Sequence, residues 1–175
     1  MAKLVVGAGH CKAGQTASGA YYNEWHESTI NREVTNELIK LLRSKGHSVK
    51  NATIDKASSQ NDCLKKVCNI VNADDYSMFI QIHCNMSKKH SASGCEVWEY
   101  SDSNNTISTN ILKNLNKLGF KNRGKKFSKS LYVLKHTKPK ALLVELFFMD
   151  SPVDRALYTK FGAKKIAEAI AKAVL

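Results

Sequence analysis

The chain has 175 residues, 43% of them hydrophobic, enough for one compact domain with a substantial core. Its formal charge of +12, from 27 basic against 15 acidic residues, points to polyanionic partners: nucleic acid, an anionic membrane surface and an anionic cell-wall polymer all fit, as does a solvated basic surface with no specific partner. Its five cysteines are odd in number with no Cys-x-x-Cys pair, which argues against a disulfide framework or a structural zinc knuckle and suits a reducing compartment.

The N-terminus, Met-Ala-Lys-Leu-Val-Val-Gly, lacks a basic segment followed by an apolar one, so synthesis in the cytosol without a secretory signal is expected. No apolar run approaches the roughly 18 residues that would cross a bilayer. Leu4-Val5-Val6 followed by Gly7-Ala8-Gly9 reads as a buried strand that ends in a tight loop and delivers His10 to the strand's carboxyl end. In open α/β sheets that rim is where ligands bind. The same stretch nearly matches two phosphate-binding patterns, but Lys12 stands where a dinucleotide fingerprint needs Gly or Ala, and Gln15 where a P-loop needs Lys.

Residues 11–22 are expected to form a loop, and Asn23 to cap a helix running to about Ser44 and closed by Gly46. Ile30, Val34, Leu38, Leu41 and Leu42 form its apolar stripe, with Glu27 near the centre and Glu33 and Glu37 on the flank. A carboxylate facing inward is costly unless paired or bound to a metal, so Glu27 needs a partner. His47–Ile54 reads as a second strand, and Ser59-x-x-Asp62 opens a helix with Leu64, Val67, Cys68 and Val71 on one face. Met78–His83 is a third strand, ending on a second histidine. A polar loop at Ser87–Ser93 precedes a strand at Gly94–Tyr100, and a helix follows over Asn104–Leu118, closed by Gly119. Lys121–Lys126 reads as a basic loop, Ser130–Lys135 and Ala141–Phe147 as two more strands. Ser151-Pro152-Val153-Asp154 supplies the cap, first-position proline and N3 acid of a last helix. This alternation predicts a single α/β domain with a six-stranded, mostly parallel or mixed sheet flanked by about four to six helices.

Two neutral imidazoles and a carboxylate, His10, His83 and Glu27, make a catalytic zinc set, because three protein ligands leave a fourth position for water. They come from three separate elements, and His26-Glu27 is not a His-Glu-x-x-His motif. Glu145 sits inside an apolar run and has two readings: an ion pair with Lys135 or Lys140, or a general base. Cys11 and Cys84 follow the two histidines and read either as a Cys-His nucleophile or as small buried packing.

Gly9-His10 after the first strand, Glu27-Ser-Thr-Ile-Asn31-Arg32 opening a helix that ends at Lys45-Gly46-His47, Ile82-His83-Cys84-Asn85, and Leu143-Val144-Glu145-Leu-Phe-Phe occur in that order. Together they resemble the zinc-dependent N-acetylmuramoyl-L-alanine amidases of the amidase-3 type, most of all the catalytic domains of endolysins from phages of clostridia. The resemblance covers residues 1–175 as one catalytic domain. It implies a six-stranded mixed sheet, one zinc held by His10, Glu27 and His83, and Glu145 as the catalytic acid and base. The implied reaction is cleavage of the amide between N-acetylmuramic acid and L-alanine in peptidoglycan. Asn85 and Arg123 would then face substrate, with Arg123 and neighbouring lysines meeting stem-peptide carboxylates. Glu24 is the alternative ligand to Glu27, and Cys11 stands where the family commonly has a second glycine. The partner implied is the anionic wall rather than nucleic acid or a membrane, and the domain is expected to be monomeric. The protein would reach the wall from the host cytoplasm through a separate membrane-permeabilising factor, with a C-terminal wall-binding domain absent from this chain. Two rivals are another zinc hydrolase on the same ligands, such as a peptidase or deacetylase, and a basic module that binds nucleic acid or wall polymer without catalysis.

Overall fold

The structure is a computed structural model that describes residues 1–102 and 106–174. In chain order its elements are β1 (Lys3–Ala8), β2 (Tyr21–Tyr22), β3 (Trp25–His26), α1 (Glu27–Ser44), β4 (Ser48–Asn51), α2 (Gln60–Val71), β5 (Met78–Asn85), β6 (Cys95–Glu99), α3 (Thr106–Lys117), β7 (Asn122–Phe127), α4 (Tyr132–Lys135), β8 (Lys140–Phe148) and α5 (Pro152–Val174). Six strands form one sheet in the order β4-β1-β5-β8-β6-β7, and β2 pairs with β3 alone. β4, β1, β5 and β8 are parallel; β6 runs antiparallel to β8, and β7 parallel to β6.

The central strands β1, β5 and β8 are mostly apolar without alternation because helices cover both faces. On one face Leu4, Val6, Ile80, Ile82 and Val144 pack against α1, α3 and α5; on the other Val5, Phe79 and Leu143 meet Val67 and Val71 of α2 and Val133 of α4. β1, β5 and β8 are neighbours and parallel, so their carboxyl ends share one rim. That rim brings His10, His83 and Glu145 together from positions far apart in sequence.

Several expectations are corrected by the structure. The helix begins at Glu27 rather than at Asn23, which has φ 52 and lies in the turn of the β2–β3 hairpin. Lys121–Lys126 is not a loop but, as β7, the edge of the sheet. Lysines suit that place, because charge on an edge strand discourages pairing with another chain. Ser130–Lys135 is not a strand: Ser128 Oγ accepts from the backbone N–H of Ser130 and Leu131, turning the chain into the short α4. The predicted total of six strands thus holds with β7 in place of that segment. The strand expected over His47–Ile54 shortens to β4, and Leu41 is only partly buried while Ile39 is buried. Asn104, the expected start of the third helix, lies outside the described residues. The last helix is capped as expected, Ser151 Oγ accepting from Asp154 N–H at 3.2 Å, but it breaks at Gly162 (φ 69, ψ 170).

Candidate metal centre

Glu27 is the first residue of α1, where the helix dipole favours an anion. It is fixed by a reciprocal pair with Ala20: its own N–H donates to Ala20 O at 3.0 Å, and its Oε2 accepts from Ala20 N–H at 3.0 Å. The β2–β3 hairpin between them folds the chain back so that both bonds can form. Oε1 accepts from Cys84 N–H at 3.3 Å and lies 3.0 Å from His83 Nδ1, while Oε2 lies 3.2 Å from His10 Nε2. The imidazoles of His10 and His83 stand edge to face with centroids 4.9 Å apart. His10, Glu27 and His83 each offer a donor atom, all within 4.8 Å of one another, and form the group of this kind found among the described residues.

The backbone is shaped for this convergence. His10 has φ 66, a left-handed conformation that costs a non-glycine residue about 1 kcal/mol or more and persists only where its surroundings hold it. Those surroundings come from α1: Asn31 Nδ2 donates to Gly9 O at 3.3 Å, and Arg32 Nη2 donates to His10 O at 3.2 Å and Ile54 O at 2.8 Å. Glycine is required nearby. A Cβ on Gly9 would lie 2.2 Å from the His83 ring, and one on Gly19 (φ +81) 2.7 Å from His10 Cδ2 and 2.8 Å from Glu27 Oε2.

Burial pushes the Glu27 carboxyl up, but hydrogen bonds and charge from His10 and His83 outweigh it and hold the pKa well below the ordinary carboxylate range. Burial lowers the His83 pKa, opposed in part by Glu27. An anionic carboxylate beside a neutral imidazole is the protonation state that divalent metals require of such ligands. His10 Nδ1 is buried without a hydrogen-bond partner. Two nitrogens and a carboxylate in this state match the donor set of a catalytic zinc site.

Glu145 lies in β8 with its Cα in register with His83 of β5 on one side and Glu96 of β6 on the other. Its Oε2 is buried without a hydrogen-bond partner. Burial, reinforced by the charges of Glu27 and Glu96, raises its pKa well above the ordinary value. Of its two sequence readings, the lysine pair is the one the structure does not form: Lys135 and Lys140 are exposed, and neither is in an ion pair with Glu145 among the described residues.

Glu96 was not singled out by spacing or resemblance. It is buried, its Oε1 accepting from Asn85 Nδ2 at 3.2 Å and Trp98 Nε1 at 3.1 Å, and its Oε2 from Arg123 Nε at 2.9 Å. The signal was available, since Cys95-Glu96-Val97-Trp98 sets an acid inside an apolar strand as Glu145 is set in its own. Arg123 also lies over the Phe148 ring at 4.8 Å, and Asn85 Oδ1 accepts from Met86 N–H at 2.9 Å. Both residues expected to face substrate are therefore anchored by Glu96. Glu24 is exposed in the hairpin turn, away from the cluster. Cys84 is buried with its thiol pKa raised well above the usual value by desolvation, and Cys11 is buried against Cys63 and Ala57. Packing accounts for both.

The Amidase_3 family model, N-acetylmuramoyl-L-alanine amidase, matches residues 4–175. An uncharacterized protein of Clostridium perfringens is 30% identical over 179 residues, covering 98% of this chain and 51% of that protein. A probable cell wall amidase LytH of Staphylococcus epidermidis is 26% identical, covering 94% and 54%. The chain spans about half the length of these curated relatives. Among solved structures, the catalytic domain of the CD27L endolysin targeting Clostridia difficile aligns with TM-score 0.87 at 30% identity, over 99% of this chain and 97% of that one. The CwlD amidase from Clostridioides difficile, solved with the GerS lipoprotein, aligns at 0.88 over 99% and 96%; at 23% identity it supports the fold alone. The mixed six-stranded sheet, the rim that gathers His10, Glu27 and His83, and a family match over nearly the whole length agree: the chain belongs to the N-acetylmuramoyl-L-alanine amidase family of the Amidase_3 type.

Proposed function

We propose that this domain hydrolyses the amide between the lactyl group of N-acetylmuramic acid and the L-alanine of the stem peptide in peptidoglycan. The observation that carries the reading is a His-Glu-His donor cluster beside a buried carboxylate whose Oε2 has no partner, in a chain of an amidase family. His10, Glu27 and His83 would hold one zinc ion, which when bound would supply a Lewis acid for the scissile carbonyl and for a water molecule. Glu145 accepts the proton of the attacking water at its carboxylate and returns it to the leaving amine of L-alanine. Its raised pKa suits the return of the proton, because a carboxyl that holds a proton more firmly than usual can serve as the acid once it has served as the base. Arg123, held by Glu96 and Ser93 O, presents the rest of its guanidinium to a stem-peptide carboxylate. Asn85 acts as a positioning residue through Glu96 and the Met86 backbone.

In a cell the domain is made in the host cytoplasm, as an endolysin is, and meets the wall after the membrane is breached. The test is zymography on purified bacterial walls with and without a chelator, together with product analysis. The amidase reading requires new L-alanine amino termini, no new reducing sugar ends, and loss of activity on chelation. New termini at another residue would make the domain a peptidase; released acetate would make it a deacetylase.

A further inference from the structure

The net charge is unevenly placed along the chain. Residues 103–144, between Asp102 and Glu145, contain no acidic residue and ten basic ones, nine lysines and Arg123, so this stretch carries +10 of the total +12. Its folded elements are α3 and α4, on opposite faces of the sheet, β7 at the sheet's edge between them in sequence, and the start of β8. Lys125 is paired with Asp102 and Arg123 with Glu96; the other eight bases are in no ion pair among the described residues. Two large aromatics, Tyr100 and Phe127, are exposed at the same edge, and the Lys125 ammonium lies 5.8 Å from the Phe127 ring centroid.

The direction of β7 links this edge to the metal centre. Its Asn122 is in register with Cys95, next to Glu96 beside Glu145, and its Phe127 with Glu99 at the far end of β6. At about 3.3 Å per residue, β7 runs roughly 17 Å from the catalytic rim to the opposite one. There a 390 Å³ depression is walled by Lys135, Lys138 and Lys140 with Tyr100. Glu99 also lines this depression, and Lys138 shares a second surface depression with Asp74 and Asp75.

We infer that this edge is a second binding surface, distinct from the metal centre, which holds a phosphodiester-bearing anionic polymer of the cell wall and guides it along β7 toward the catalytic rim. The chemistry follows from the residue type. Lysine ammonium groups are mobile point charges without the fixed fork of arginine, so a row of them reads charge density along a chain rather than one planar carboxylate. A repeating phosphate polymer provides that density, and its binding is driven by release of counterions. The choice of a wall polymer rests on the peptidoglycan reading above; the surface itself does not.

The test compares two fourfold lysine-to-glutamine variants, both in a Glu145→Gln background so that the wall is not digested. One removes Lys129, Lys135, Lys138 and Lys140, at the end of β7 away from Arg123; the other removes Lys45, Lys50, Lys56 and Lys65, on and around the β4 side of the molecule. Binding to Gram-positive walls, intact or stripped of phosphodiester-linked polymer with hydrofluoric acid, is measured across salt concentrations. The edge variant should bind intact walls at least about tenfold more weakly, and its slope of log affinity against log salt should be shallower by about 3, at roughly 0.7 per lost contact. The control variant should keep most of both, and stripped walls should bind every protein weakly. Equal losses in the two variants would replace the proposed surface by bulk charge, and undiminished binding to stripped walls would remove the polymer. Tighter binding to duplex DNA than to intact walls at the same salt would make nucleic acid the partner. Turnover of a soluble muramoyl peptide, measured with Glu145 restored, should be the same in the edge variant and the parent. If the parent itself fails to turn it over, the amidase reading falls while the binding comparison still decides the edge.

Discussion

Replacing Glu145 by glutamine separates its chemical task from its place in the fold. The side chains are nearly equal in size, and Oε2 has no hydrogen bond to lose. Burial and the neighbouring carboxylates of Glu27 and Glu96 already disfavour the anion, so a neutral amide relieves repulsion as it adds a buried donor that needs an acceptor. These effects oppose each other, and unfolding stability should stay within about 1 kcal/mol of the parent, a Tm change of about 4 °C or less for a domain of this size. Removing a general base, by contrast, should lower turnover by about 10² to 10⁴, or about 3–5 kcal/mol in the barrier. The assay follows release of L-alanine amino termini from a soluble muramoyl peptide, with zinc content and thermal melting measured on the same preparation. Turnover within about threefold of the parent would remove Glu145 from the mechanism. A large loss of turnover that came with a Tm fall of 10 °C or more would make its role structural.

Glu27→Ala leaves His10 Nε2, His83 Nδ1 and the Cys84 N–H without their acceptor and should weaken zinc binding by on the order of 10²-fold or more; Glu24→Ala should leave it unchanged, both read by chelator competition. Gly19→Ala and Gly14→Ala both put alanine at φ +81, each at a backbone cost of about 1–2 kcal/mol. A Cβ at Gly14 meets nothing within 4 Å, whereas one at Gly19 meets His10 and Glu27, so only Gly19→Ala should also lose zinc affinity. For pH, Glu145 works as base only when ionised, so kcat/KM should fall as pH drops through its raised pKa. Glu96→Gln removes one of the negative charges that raise it and should move this acidic limb to lower pH. The cysteine thiols should react slowly with a disulfide reagent at pH 8 while the protein is folded, and at the ordinary rate once unfolded. All five are buried, and burial pushes Cys68 up to about 11 and Cys63 and Cys95 up to about 12.

The elements that were legible in the sequence are those whose environment is uniform. β1, β5 and β8 are buried on both faces, so apolar runs marked them, and the capping residues Ser59 and Ser151 marked the starts of α2 and α5. β7 escaped because an edge strand faces solvent, and its lysines carry a loop's composition into a hydrogen-bonded ladder. α4 misled in the opposite sense: Leu131-Tyr-Val-Leu has a strand's composition, but a serine turn directs it. The β2–β3 hairpin had no signal of its own, with two residues per strand and a turn at Asn23 that doubles as a plausible helix cap.

The placement of Glu27 shows what separates spacing from mechanism. Helical periodicity could say only that its carboxylate faces inward, and the resemblance could add only that Asn31 and Arg32 follow at a family interval. The structure supplies the cause. Positions 27, 31 and 32 lie on neighbouring turns of one helix face, so while Glu27 bridges the two imidazoles, Asn31 and Arg32 reach the carbonyls of Gly9 and His10 and hold the left-handed turn that aims His10. The motif is therefore one device: α1 contributes the carboxylate of the donor cluster and, four and five residues on, the two donors that aim one of its histidines. Neither Asn31 nor Arg32 touches the donor atoms of His10 or His83, and neither could be valued from composition. Arg32→Ala should consequently weaken zinc binding while leaving the three donor side chains in place, the reverse of what a purely structural surface arginine would do.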